Sequence, residues 1–111
     1  VFEPAVLNVA VGDSVTFEST DAAHNSASMA GMIPAGAQSW NSDLSKDITV
    51  TFDVPGVYAY QCTPHSMMAM VGVVRVGNNM SNINDVKSAA EAKKASFVMN
   101  KDRLDSYINQ L

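Results

Sequence analysis

The chain has 111 residues, a formal charge of −4, and 47% apolar and 16% charged side chains. That balance excludes a disordered or fibrous chain and fits one domain that buries about two-thirds of its unfolded surface. Residues 1–77 hold seven acids against Lys46 and Arg75, so −5, and residues 78–111 hold four acids against five bases, so +1. Neither part has the basic stripe that neutralises phosphates, which argues against nucleic acid as a partner. No apolar run approaches the ~20 residues that cross a bilayer, which argues against membrane insertion. The opening Val-Phe-Glu-Pro, with neither initiator Met nor leader, reads as the start of a processed or trimmed product.

In chain order, residues 5–11 are β-rich and end at Gly12-Asp13, a turn signal, after which Ser14 to Glu18 alternates polar and apolar. Together they predict a hairpin. Periodicity then vanishes from Ser19 to Asp47, a stretch holding His24, Met29, Met32 and the lone Trp40. Irregular connections of that length are functional or contain short elements of their own. Strict alternation returns at Ile48 to Asp53, with Ile48, Val50 and Phe52 on one face. Pro55-Gly56 turns the chain into Val57 to Cys62, a strand on which Tyr58, Tyr60 and Cys62 share a side. If the tyrosines face the core, Cys62 sits at the inner rim of the sheet as the chain leaves it. Val71 to Val76 forms a further strand, closed by Gly77. Short strands with Gly and Pro turns favour a β-sandwich.

The last third changes period. Residues 78–82 form a polar linker, and Asn82 or Asn84 caps a predicted helix through Val86 to Lys94. A second helix is predicted from Asn100, with Leu104, Tyr107, Ile108 and Leu111 in one apolar stripe and a weak pairing of Lys101 with Asp105. Both helices should cover the sandwich. Residues 1–111 thus read as a single domain, with strands in 1–77 and the linker and helices in 78–111.

The chemistry concentrates in Cys62-Thr63-Pro64-His65-Ser66-Met67-Met68-Ala69-Met70. A single cysteine rules out an internal disulfide framework, leaving Cys62 as a buried apolar residue, a nucleophile or a metal ligand. Cys62, His65 and Met70 follow Cys-x2-His-x4-Met at a strand exit, and His24 lies upstream in another inter-strand loop. Two imidazoles, a thiolate and a weak axial thioether are what an electron-transfer copper site needs. No member of that set is missing and no histidine is left over. Two other readings compete: a copper storage or delivery module without redox duty, and a cysteine-dependent enzyme pairing Cys62 with His65. The enzyme reading lacks an oxyanion motif, and its pair sits too close along one tight loop for nucleophile–base work.

The chain resembles the type 1 (blue) copper proteins, the cupredoxins, and most closely the pseudoazurin family. The resemblance rests on Val1-Phe2-Glu3-Pro4, Val11 to Phe17, His24-Asn25, Gly31 to Ala37, Pro55 to Tyr58, Cys62-Thr63-Pro64-His65, Met68 to Val74 and the two C-terminal helices. It implies a mainly β, Greek-key sandwich carrying one type 1 copper ion held by His24, Cys62, His65 and Met70. It further implies that Asn25, with Thr63 as its partner, ties the two ligand loops together and helps hydrogen-bond the thiolate. The function implied is one-electron transfer without bond-making chemistry, in a periplasmic monomer. The partners implied are redox proteins such as a copper nitrite reductase, another denitrification reductase or a cytochrome c. They would dock at an apolar patch around His65 made of Met32, Pro34, Pro64, Met68 and Ala69, with Met67 either part of it or filling a gap.

Two departures from the family pattern stand out. The family usually has a further strand before Val-Phe-Glu-Pro, so either residues that precede Val1 have been removed or the sandwich lacks an edge strand that must be covered otherwise. The family also rings its exposed histidine with lysines, whereas Asp21 to Asn41 carries no Lys or Arg, and Ala22, Ala30, Ala35 and Gln61 are neutral. Long-range steering toward an acidic reductase is then weak, and a neutral-faced partner fits at least as well.

Overall fold

The computed structural model describes residues 2, 4–19 and 23–111. Its strands, in chain order, are β1 (Val6–Val9), β2 (Ser14–Phe17), β3 (Ala27–Ser28), β4 (Ile48–Thr51), β5 (Gly56–Gln61) and β6 (Val71–Val76). The helices α1 (Ile83–Lys94) and α2 (Arg103–Asn109) come after them, and a 3-10 helix (Thr63–Met68) links β5 to β6. One sheet has the order β1-β6-β5-β3, and the other pairs β2 with β4.

The expected hairpin of residues 5–18 does not form. β1 runs parallel to β6, and β2 runs antiparallel to β4, so the Gly12-Asp13 turn carries the chain from one sheet to the other. The turn itself is well made: Ala10 N–H donates to Asp13 Oδ2 at 2.9 Å, and Gly12 takes φ +90°, which a residue without Cβ adopts freely. The turn residues do not determine the partner strand. Apolar residues facing two different sheets set that, with Leu7 packing beside Val74 and Val15 beside Val50.

Side-chain alternation divides β5 and β6 between two cores. Tyr58, Tyr60, Val74 and Val76 face β2 and β4, where Trp40, Phe52 and Phe17 complete an aromatic cluster. The Tyr60 ring packs edge-on to Phe2 and Phe17 at 4.7 and 4.9 Å and lies over Gly72, its cross-strand neighbour. A Cβ at position 72 would collide with that ring, so only glycine fits there. Burial holds the Tyr60 hydroxyl well above its ordinary pKa of 10, with a smaller contribution from Tyr107. On the opposite face, Val57, Ala59, Val71 and Val73 meet Val86, Ala90, Phe97, Leu104 and Ile108 from the helical part. The central sheet is therefore covered on both sides, a β-sandwich with two C-terminal helices.

β3 pairs with β5 only at Gln61 and Tyr60, which leaves most of that edge of β5 to be satisfied otherwise. The irregular stretch does this: Ala59 N–H donates to Met32 O at 2.8 Å, and Met29 N–H to Ala59 O at 3.0 Å. Asn82 completes it, accepting from Val57 N–H and donating to Val57 O, both at 2.8 Å. Asn82 does hold the N-cap position of α1, but its side chain makes no cap bond because it is committed to β5. The outer edges of β1 and β2 carry no further strand among the described residues. A cleft lined by Phe2, Leu7, Val15, Phe17 and Tyr60 opens between them.

The apolar stripe of α2 is as expected, with Leu104 and Ile108 buried and Tyr107 and Leu111 packed beside them. The pairing of Lys101 with Asp105 is not. Lys94, at the end of α1, reaches both Asp102 (2.9 Å) and Asp105 (3.2 Å), since the turn between the helices brings the last residue of one onto the start of the other.

Candidate metal centre

Cys62 comes directly after β5 and keeps the side shared by Tyr58 and Tyr60, so its thiol points inward at the rim of the aromatic core and is fully buried. The chain then enters the 3-10 helix with Pro64 in its first turn and kinks at His65 (φ −114°, ψ 15°), which breaks the helical path at the imidazole. Ala69 ends the segment in the left-handed region (φ 56°, ψ 42°), and Cys62 N–H donates to Met70 O at 2.9 Å, closing the loop at its base. Cys62, His65 and Met70 are thereby held on one short ring of backbone.

His24 comes from the long irregular stretch, and hydrogen bonds within that stretch hold it. Ser45 N–H donates to His24 O at 2.9 Å, and Ala23 N–H donates to Ser45 Oγ at 2.8 Å. Ser26 and Ser42 exchange a further pair of bonds, at 2.9 Å each. Asn25 joins this segment to the other loop: Thr63 N–H donates to Asn25 Oδ1 at 2.7 Å, and Asn25 Nδ2 donates to Thr63 Oγ1, Asn41 Oδ1 and Ser42 O at 3.1–3.2 Å. Asn25 is buried with both its amide oxygen and its amide nitrogen engaged, so it fixes the distance between the two loops.

The two imidazoles converge on the thiol. His24 Nδ1 lies 3.5 Å and His65 Nδ1 3.4 Å from Cys62 Sγ. The ring centroids are 4.4 Å apart, and the three donor atoms all fall within 4.8 Å of one another. Met70 is half-buried and lines the same cleft as His24. Buried sulfur with two imidazole nitrogens is a soft, borderline donor set that fits copper.

Two other expectations about the site's surroundings change. Met67 is 58% exposed, so it fills no gap, and Pro64 and Met68 are exposed beside it. Met32, Pro34 and Ala69 are buried and cannot belong to a surface patch. Serving as the edge partner of β5 sends Met32 into the helix-side core, and Pro34 packs onto Gly56. The left-handed turn at Ala69 aims its methyl into the same core as Met32. Exposed apolar surface next to the loop comes instead from Val98 (68%) and Met99 (49%), in the link between the helices. No periodicity marks them, and only their contacts reveal the role. Of the neutral positions, Ala30 and Ala35 are exposed, Gln61 accepts a bond from Ser66 Oγ at 2.8 Å, and Ala22 lies outside the described residues.

A mixed sandwich with a buried thiol and two imidazoles at its end defines a copper protein of the cupredoxin class. The family model of copper binding proteins, the plastocyanin/azurin family, matches residues 1–77, and the chain belongs to that family. Within it the similarity is to pseudoazurins, electron-transfer blue copper proteins. The chain is 40% identical over its full length to a putative pseudoazurin of Rhizobium leguminosarum bv. viciae, covering 70% of that protein. It is 37% identical over its full length to the pseudoazurin of Paracoccus pantotrophus, covering 73% of it. The crystal structure of pseudoazurin from Methylobacterium extorquens AM1 superposes with a TM-score of 0.84 at 35% identity, over 97% of this chain and 84% of that one.

Proposed function

We propose that His24, Cys62, His65 and Met70 hold a single copper ion, with which the protein passes one electron at a time between redox partners in the periplasm. The observation that carries this is the approach of both Nδ1 atoms to within 3.5 Å of the buried Cys62 Sγ. Copper bound there supplies a Cu(II)/Cu(I) couple. Everything else is positioning by the protein. Asn25 and Thr63 keep His24 at a fixed distance from Cys62, and the Cys62–Met70 backbone bond keeps the thiolate and the thioether in register. A donor set that does not rearrange between oxidation states imposes a small barrier on electron exchange. His65 is partly exposed and flanked by exposed Pro64, Met67 and Met68, which makes its ring edge the port to a docked partner.

The partner class is a redox protein such as a copper nitrite reductase, another denitrification reductase or a cytochrome c, met by a monomeric carrier. The absence of Lys and Arg from residues 21–41 favours the less acidic of these. The competing storage or delivery role requires easy release of the metal, and a site closed by two loops and a buried thiolate resists it. The two readings separate by comparing electron self-exchange with copper transfer to a chelator. Fast self-exchange with slow transfer supports the carrier, and the reverse order excludes it.

A further inference from the structure

The 3-10 helix of the metal loop ends at Met67, Met68 and Ala69, whose carbonyls lie in the last turn, where a helix has no internal donors left to offer. All three are met from one place, the link between α1 and α2. Val98 N–H donates to Met67 O at 2.7 Å, Asn100 Nδ2 to Met68 O at 3.4 Å, and Arg103 Nη1 to Ala69 O at 3.3 Å. The link itself is anchored. Phe97 is 2% exposed within the helix-side core, Asn100 turns the chain in the left-handed region (φ 54°), and Arg103 is the first residue of α2.

Ala69 is the residue through which this acts. It is a non-glycine in the left-handed region, a conformation that is unfavourable for an L residue and persists only where surroundings enforce it. It immediately precedes Met70, whose own N–H makes only a long bond, 3.4 Å, to His65 O. The guanidinium on the Ala69 carbonyl is thus a charged contact made directly on the turn that aims Met70.

We propose that Arg103, supported by Asn100 and the Val98 amide, is a positioning residue for the metal site. The helical part then acts as a clamp that fixes the Ala69 turn and, through it, the Met70 thioether. This rests on the reading of Met70 as a copper ligand, whose thioether would tune the potential of such a site. The clamp also gives the two helices a task beyond covering the sheet.

The test compares Arg103→Met, which keeps the aliphatic stem and removes the guanidinium, with Arg103→Lys and with Lys94→Met, which breaks the inter-helix ion pair and leaves the loop contacts intact. In the apo-protein, Arg103→Met should speed amide hydrogen exchange at Ala69 and Met70 about tenfold, with Arg103→Lys intermediate. In the copper-loaded protein, Arg103→Met should change the reduction potential and the EPR rhombicity, while Lys94→Met should match wild type in all of these. Unchanged loop exchange in Arg103→Met overturns the clamp. So does an equal effect of Lys94→Met, since the helices would then act only through overall stability. Faster loop exchange without any change in potential or EPR retains a clamp on Ala69 but overturns its action on the metal through Met70.

Discussion

Two residues carry more of this molecule than their size suggests. Asn25 bridges the His24 segment and the Thr63 backbone, with both its amide oxygen and nitrogen engaged. Asn25→Ala leaves the Thr63 N–H without its acceptor and frees the two loops to separate. Copper affinity should fall roughly 10- to 100-fold, as for other residues that orient ligands without touching the metal, and competition with a chelator measures it. Gly72 has no chemistry, yet a methyl there would strike the Tyr60 ring. Gly72→Ala should therefore destabilise the fold by about 2 kcal/mol, read as a lower denaturant midpoint with an unchanged slope. An unaffected midpoint would mean that the aromatic core repacks at no cost.

Among the elements, those whose residues face one partner were legible from their pattern. Ile48 and Val50 alternate as a half-buried strand should, with Phe52 just past its end in the same core. Leu104, Tyr107 and Ile108 form the stripe seen on α2, with Leu111 packed beyond its last residue. The tyrosine periodicity of β5 correctly put Cys62 at the inner rim of the sheet. Local pattern misled where a long-range partner decides. Residues 5–18 have every local sign of a hairpin, but β1 and β2 belong to different sheets, and nothing in the turn encodes which strand each will meet. Met32 and Pro34 lie in a loop and look like surface, yet that loop serves as an edge for β5 and is buried. The contacts of Val98, Asn100 and Arg103 with the metal loop join residues far apart in the chain and leave no periodic trace. Lys94 with Asp102 and Asp105 is the same kind of case, and it has a pH consequence. Hydrogen bonding and charge from Lys94 hold the Asp102 carboxyl below its ordinary 3.8. A depressed folded-state pKa favours the fold above the unfolded value, and that contribution is lost as pH falls through the folded one. Lys94→Met should return Asp102 to near 3.8 in an NMR titration and flatten the acid side of the stability curve below about pH 4. Added salt should weaken the pair in wild type.

For the whole molecule, both faces of the central sheet are buried, so the aromatic core and the helix-side core share β5 and β6. We expect residues 1–111 to unfold as one unit. Thermal unfolding of the apo-protein followed by Trp40 fluorescence and by far-UV helix signal should give coincident transitions, and separate ones would divide the chain at about residue 77. The net charge of −4 and the absence of Lys and Arg from residues 21–41 bear on encounter rather than on fold. The rate of electron transfer to a cytochrome c or a copper reductase should change less than about threefold between low and physiological salt, and a steep salt dependence would show steering by charges elsewhere on the surface. Whether a thiolate and two imidazoles hold a redox-active copper ion is tested most directly by the visible spectrum. Protein loaded with Cu(II) should show an intense thiolate-to-copper charge-transfer band that bleaches with ascorbate, returns on reoxidation and is missing from Cys62→Ser. A colourless copper adduct, or a band that survives the loss of Cys62, would contradict it.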